Sequence, residues 1–456
     1  MSSFGASEHR QSLRHHLAQL QAADALHVVR ESVDLEFELA AYLCLLPADR
    51  AVLFDAVRGH SAKVVANVLT SRERIASSLR VAPADLQRKI VSAIAEPVAP
   101  RLVVEAPAHE VTLEAPDLAR LPVPTFFAGE TGPYITAGVI VAKDPVSGRG
   151  NLSFARLKPM GGNRAFIGIA PNHHLAVLLR RAAERGETLP IAVTLGHHPA
   201  VLLAAALYLG LGEDELHVAG ALLGEPIEVV RCRSVDLAVP AHCEMVLEGH
   251  IDARDTVEEG AVSEFHGMYE RYGVGQVASF DLLTQRRDAL FQVVQPGYHA
   301  EHVWIGAVAI AAGLARQIAQ SVPSVGEVAV TPGGAGRLHA VISLQNPRPG
   351  DAKRAMFAAW AAVSLIKQVT VVDADVDPWD PVRVEWALAT RMRSERDLLV
   401  VPDVRADRAE PLERDGLVGK LGIDATRKAG DRADWTEALP PPDVLERVRR
   451  RLDDRR

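Results

Sequence analysis

One short strand with polar groups in it sets the terms for this chain. Asn151-Leu152-Ser153-Phe154-Ala155-Arg156 contains no Pro or Gly and leaves a turn spanning Asp144 to Gly150. An isolated Arg is seldom fully buried, and Asn leaves four hydrogen-bonding positions to satisfy. Taken alone, the segment reads as a half-exposed edge strand with a surface ion pair. Strict alternation puts Asn151 and Arg156 on opposite faces. A single pocket using both then needs a bulge, or a ligand that wraps past the strand end.

The rest of the chain is large enough to build such a pocket. At 456 residues it exceeds one core, so two or three domains are expected. Hydrophobic content of 48% against 24% charged residues is that of an ordinary globular protein. A net charge of −8 gives no basic footprint for nucleic acid. Cys44, Cys232 and Cys243 make neither an even disulfide framework nor a CxxC pattern, which points to a reducing cytoplasm. Met1 to Gln19 has no apolar run of a signal peptide. The apolar stretches Pro199–Gly212 and Val303–Leu314 fall short of the ~20 residues that span a bilayer, so no membrane insertion is expected.

Apolar spacing predicts helix over 9–30 and in the same style over 39–47 and 51–69, then over Ala84–Ala95. Residues 1–118 therefore read as a mostly helical α+β region with a packing and assembly role. From Thr131 the texture changes. Tyr134–Ala142 and the opening strand form a predicted hairpin, and Ala165–Ala170, Leu189–Leu195, 225–251, Gln276–Leu283 and Ala289–Val294 read as further strands. Asn172 is placed as an N-cap for a helix ending at Gly186. A helix over Glu301–Ile318 joins this region to alternating α/β units at Glu327–Val330, Leu338–Leu344, Lys353–Ser364 and Gln368–Val372. Pro332–Gly336 is Gly-rich, lacks GxGxxG spacing and reads as a turn. The tail from Pro440 ends in a charged helix, Val444–Arg456.

Downstream of the opening strand come Pro171-Asn172-His173-His174, then Glu215, then Glu259 and Glu264 in Glu-Gly-Ala-Val-Ser-Glu. Further pieces are Gly196-His197-His198-Pro199-Ala200, Val239-Pro240-Ala241, Glu244–Gly249 and Gly419–Thr426. Taken in this order, from about Gly132 to about Lys428, they resemble the UbiD family of prenylated-FMN-dependent (de)carboxylases. The resemblance implies a multidomain α+β and α/β chain: an N-terminal region (1–118), a central split β-barrel flavin-binding domain (119–300), a C-terminal α/β domain with its linking helix (301–430), and a tail helix (431–456).

The same resemblance implies site roles. Asn151, His174 and Glu215 would hold a divalent ion against the phosphate of prenylated FMN, and carbonyl, imidazole and carboxylate together suit Mn²⁺ or Mg²⁺. Ser153, Phe154, Arg156 and Lys420 would complete the cofactor contacts, and the loop at His197-His198 would offer backbone carbonyls to K⁺. The doublet leaves two registers open: His174 as ligand with His173 facing the substrate, or the reverse. Arg156, Glu259 and Glu264 would be the catalytic network. Two close carboxylates push one pKa up while a guanidinium holds the other ionised, and Glu264 is expected to carry and donate the proton. Tyr298, His299, Glu301 and His302 are candidates for substrate specificity.

The implied reaction is reversible non-oxidative decarboxylation of an aromatic, heteroaromatic or α,β-unsaturated carboxylic acid through a covalent prenyl-FMN adduct. A separate flavin prenyltransferase would supply the cofactor, and a homo-oligomer, dimer or hexamer, is expected. Two rivals are a metal-dependent hydrolase without flavin and a non-catalytic flavin-binding subunit of a carboxylase assembly.

Overall fold

The computed structural model describes Phe4, residues 8–428, Gly430 and residues 435–453. Its centre is a curled antiparallel sheet of eight strands. Gly150–Phe154 lies at one edge, next to Val139–Lys143; Leu189–Leu195, Met245–Glu258, Val274–Gln285, Arg164–Ile167 and Leu157–Pro159 follow across the sheet. Val111–Glu114 also pairs with Val274–Gln285. The predicted hairpin forms, with Ala142 opposite Asn151 and Val139 opposite Phe154. The strand then stops at Phe154, and a new one starts at Leu157. That break breaks the alternation, so Asn151 and Arg156 reach one cavity without a bulge.

Curvature elsewhere does come from bulges. The pairing of Met245–Glu258 with Val274–Gln285 slips between Glu248 and Gly249 and again between Asp252 and Thr256, and such slips bend and twist a strand. At Gly249 the two backbones approach so closely that a Cβ would overlap the Ser279 carbonyl oxygen.

The N-terminal region departs from the helical expectation. Helices form at Leu13–Ala22, Glu38–Leu45 and Leu86–Ala95, but Leu26–Val33, Ala51–Val57 and Lys63–Ala66 are strands. With Leu290–Gln292 they make a four-stranded sheet. The reason is burial on both faces: Ala51, Val52, Leu53 and Phe54 are all fully buried. A strand covered on both sides reads as a continuous apolar run rather than an alternating one, and periodicity cannot separate that from a buried helix.

The C-terminal part is a mixed five-stranded sheet in the order Val325–Val330, His339–Leu344, Gln368–Asp373, Leu417–Asp424, Leu398–Arg405, with helices Asp351–Ala362 and Pro381–Arg391. The tail helix runs Pro442–Asp453; Asp454–Arg456 of the expected helix lie outside the described residues.

The linking helix Ala300–Ala319 is twenty residues long and apolar enough to cross a membrane by length and composition, longer than its sequence stretch suggested. It is instead buried in protein. Ile305, Val308, Ala309 and Ala312 belong to the core of the central sheet. Ala307, Ile310, Ala311, Leu314, Ala315 and Ile318 belong to the C-terminal core. Both sets recur at three and four residues, so each is one stripe of the helix. Its first turn is tied to the N-terminal region by Glu301, whose buried carboxylate accepts from the backbone N–H groups of Asn67 (2.8 Å) and Leu69 (2.9 Å). Burial pushes the pKa of Glu301 up to about 7, against those hydrogen bonds.

Gly249→Ala should cost about 3 kcal/mol or more, because backbone rather than a flexible side chain must move. The check is a chemical-denaturation midpoint; a midpoint equal to that of the unaltered protein would show that the sheet can part at this crossing.

Candidate active site

A cavity of about 580 Å³ opens between the break after Phe154, the first turns of the linking helix and the C-terminal segments 362–365 and 407–409. That is a size that takes drug-sized ligands. Its lining brings together Asn151, Ser153, Phe154, Arg156, His173, His174, Glu215, Glu264 and His302 from the expected set.

Asn151, His174 and Glu215 meet at one end. Glu215 is the first residue of the helix Glu215–Leu223. Its carboxylate accepts from Asn151 Nδ2 (3.1 and 3.2 Å) and from the Leu152 N–H (2.8 Å), and His174 Nδ1 lies 4.0 Å from Glu215 Oε1. Asn151 Oδ1 and Ser153 Oγ are buried with no hydrogen-bond partner. Burial lowers the pKa of His174, keeping its ring neutral with a lone pair to offer. Burial also raises Glu215 to about 7 despite its hydrogen bonds, a cost that a bound cation would reverse. An orphaned amide oxygen, a neutral imidazole and a desolvated carboxylate fit a hard divalent ion. The proximity of His174 to Glu215 favours His174 over His173 as the nitrogen ligand. The helix begins at His174, with His173 in the cap position and no side-chain cap bond. Asn172, expected as the cap, instead donates to Asp407 Oδ2 at 3.1 Å.

At the middle of the cavity Arg156 is clamped by Glu259. Nε donates to Oε1 at 2.5 Å and Nη2 to Oε2 at 2.6 Å, a fork-to-fork pair on a carboxylate with no exposed surface. Glu259 and Glu264 flank the short hairpin strand Ala261–Ser263, and its partner Tyr269–Arg271 leads to Tyr272. Tyr272 Oη donates to Glu264 Oε2 at 2.8 Å, and the Phe265 N–H donates to Oε1 at 2.9 Å. The expectation of a raised pKa on Glu264 is not met in this arrangement. Burial pushes it up, but Arg156, the Phe265 N–H and Tyr272 together outweigh burial and hold it below the ordinary carboxylate value. The group is a carboxylate until another negative charge enters.

Other expected positions fall outside the lining. His299 is turned to the Leu43 carbonyl (Nε2 to O, 3.3 Å), and Tyr298 is 58% exposed, its hydroxyl donating to the Pro332 carbonyl. Lys420 is buried behind the wall. It donates to the carbonyls of Ser364 (2.5 Å) and Ile366 (2.7 Å), so it fixes the segment that lines the cavity rather than lining it. His197 is bonded to Thr194 Oγ1 at 2.6 Å, and His198 accepts from the Ala200 N–H. Both line a separate small cleft, so that loop does not face the main cavity.

Sequence reasoning missed Tyr272, Arg337, Asp407 and Arg408, which all line it. Tyr272 lies between two guanidiniums, Arg156 at 5.2 Å and Arg408 at 4.4 Å from its ring centre. Tyr272 follows the Glu-rich loop closely enough to have been suspected; Arg337 sits just past the glycine turn, with no local pattern to mark it.

Three family models match successive parts of the chain: the N-terminal domain (residues 17–94), the Rift-related domain (101–299) and the C-terminal domain (303–425) of 3-octaprenyl-4-hydroxybenzoate carboxy-lyase. The anhydromevalonate phosphate decarboxylase of Methanosarcina mazei is 35% identical over 391 residues, covering 86% of this chain and 90% of its own. That of Aeropyrum pernix is 34% identical over 401 residues, covering 88% and 90%. Among solved structures, the UbiD-class enzyme HmfF from Pelotomaculum thermopropionicum in complex with FMN superposes with a TM-score of 0.91 at 38% identity, covering 95% of this chain and 98% of that one. An evolved dimeric form of the same enzyme in complex with prFMN gives 0.87 at 37%, covering 96% and 98%. These relatives are decarboxylases or UbiD-class enzymes, which speaks against the hydrolase and the non-catalytic subunit.

Glu259→Ala should leave the Arg156 guanidinium without its partner and cost about 3–5 kcal/mol of stability, with Glu259→Gln costing less. Denaturation midpoints of the three proteins decide this, and an unchanged midpoint in Glu259→Ala would show that the pair contributes nothing.

Proposed function

The chain belongs to the UbiD family of carboxy-lyases, and from that premise we propose that it catalyses reversible, non-oxidative decarboxylation of an aromatic, heteroaromatic or α,β-unsaturated carboxylic acid. The observation that carries the reading is the joint placement, in one cavity, of Arg156 (clamped from behind by the buried Glu259), the Glu264 carboxylate and the Asn151–His174–Glu215 cluster. The relatives from M. mazei and A. pernix are named for anhydromevalonate phosphate, so a non-aromatic acid stands beside the aromatic ones.

Prenylated FMN, when bound, supplies the electron sink that lets CO₂ leave an sp² carbon. In our reading Asn151, His174 and Glu215 would hold Mn²⁺ or Mg²⁺ to neutralise its phosphate, and Ser153 and Phe154 would add contacts to it. The carbonyls at the C-terminal end of the helix Pro199–Ala205, where Ala205 and Ala206 line the cavity, suit a monovalent cation such as K⁺. Residues 119–300 carry the cofactor, 301–430 close over it, and 1–118 and the 431–456 tail pack and assemble. A separate flavin prenyltransferase supplies the cofactor, and the assembly is a homo-oligomer.

The protein's own part is charge management. Arg156, held rigid by Glu259, receives the substrate carboxylate. The incoming negative charge shares the guanidinium and lifts the pKa of Glu264, which then takes up a proton. When CO₂ leaves, Glu264 delivers that proton to the carbon left behind. Tyr272 and the Phe265 N–H keep the carboxyl aimed throughout. The net change is one proton consumed per CO₂ released. Closing the cavity against water strengthens each of these interactions.

Glu264→Gln should keep flavin binding and lose about 10²-fold or more in turnover, measured as CO₂ release by protein co-produced with a flavin prenyltransferase. Full activity would remove the proton donor. His174→Ala should lose divalent metal and with it most of the flavin absorbance, while His173→Ala keeps both; the reverse result would move the ligand register by one residue.

A further inference from the structure

We propose that Arg337 receives a second anionic group on the substrate, so that the acid this enzyme takes carries a distal carboxylate or phosphate. The proposal rests on the decarboxylase reading for the first carboxylate and adds the substrate's other end.

The observation is a half-buried, desolvated cation in the cavity wall with no carboxylate of the described residues in ion-pair contact. Several buried or half-buried arginines elsewhere grip a carboxylate: Arg14 holds Glu244 and Asp288, Arg391 holds Asp373 and Asp375, and Arg156 holds Glu259. Arg337 lines the cavity, yet among the described residues no carboxylate lies within ion-pair distance of it. Its one hydrogen bond is a long one, Nη1 to the His302 carbonyl at 3.4 Å, and its other contact is the face of Phe265, 4.9 Å from Cζ to the ring centre. A desolvated charge left like this is costly, so a buried guanidinium that keeps an open fork is poised for an anion from outside.

The neighbouring helix is built to admit it. At Gly306, a cavity residue of the linking helix, a Cβ would lie 2.7 Å from Arg337 Nη1. A side chain there would push the guanidinium out of its present place. The loop that delivers Arg337 is the Gly-rich turn at Pro332–Gly336, where Ala335 and Gly336 have positive φ.

Of the other charges in the cavity, Glu264 acts on Arg337 through space but makes no ion pair with it. Arg156 is engaged by Glu259. Arg408 is exposed and stacks on Tyr272, where water meets its charge. Asp407 accepts from Asn172. His302 is held neutral, pushed down to about 3 by burial and by the charge of Arg337. The two guanidiniums that face a substrate therefore come from different parts of the chain, Arg156 from the central sheet and Arg337 from the C-terminal part. A molecule with an anion at each end is gripped across the cavity.

The test uses the protein purified from cells that also make a flavin prenyltransferase. Binding of 4-methylbenzoate, terephthalate and 4-(phosphonooxy)benzoate is measured by calorimetry, and CO₂ release is recorded from the same three. The unaltered protein should bind one or both dianions about 10-fold or more tighter than 4-methylbenzoate, and which dianion is favoured separates carboxylate from phosphate recognition. Arg337→Gln should abolish that ratio, and Arg337→Lys, which keeps the charge in place of the fork, should retain part of it. No dianion preference in the unaltered protein, or a preference that survives in Arg337→Gln, overturns the proposal. A preference that depends on Arg337 with no CO₂ released from any of the acids would uphold the anion site and count against the decarboxylase reading.

Discussion

The linking helix has no free face, and the rest of the molecule is arranged around that fact. One stripe completes the core of the central sheet, a second completes the C-terminal core, and the first turn is pinned to the N-terminal region through Glu301. A helix apolar all round must be covered all round, so three parts of the chain converge on it. The cavity is what the convergence leaves open: His302, Ile305, Gly306 and Ile310 form one wall, and the broken edge strand faces them. Position in the fold and position in the site are therefore the same constraint at this helix.

Within the cavity, function divides by the way each charge is compensated. Arg156 is fully engaged, which makes it rigid and leaves its outer edge for a carboxylate. Glu264 is held as an anion by its neighbours. Asn151 Oδ1 has no partner at all. Each departure from full satisfaction faces the same space, and buried groups left wanting partners are where ligands are to be expected. Lys420 acts one layer further out: by filling the carbonyls of Ser364 and Ile366 it gives a loop wall the stiffness of a sheet.

Much of this was legible in the sequence, for a physical reason. The opening hairpin, a helix beginning close to His174 and the paired glutamates are local features. Each brings its chemistry within a few residues, so order along the chain was enough to identify them. The elements that misled were those whose environment is set from afar. Ala51–Val57 is apolar because both its faces are covered, which no window of sequence shows. Asn172 looked like a cap but found Asp407, 235 residues away. Tyr298 and His299 stand beside His302 in sequence, yet helix geometry turns only His302 inward. Arg337 was invisible because what singles it out is a missing partner, and a missing partner is a property of the assembled interior.

The pairing of Arg337 with Gly306 has a consequence for how such a protein can diverge. The two positions are 31 residues apart on different elements, yet Gly306 cannot gain a side chain without disturbing the guanidinium. A side chain at 306 displaces the guanidinium from its present place, whereas loss of the arginine removes the nearest atoms such a side chain would meet. The order of change therefore matters: the helix fills in most easily after the arginine has gone. Once a larger residue occupies 306, regaining the arginine requires a prior reversal at a site with no visible link to it. Substrate preference in a lineage built on this scaffold would then move as a ratchet, with the glycine recording which ancestors still held the cation.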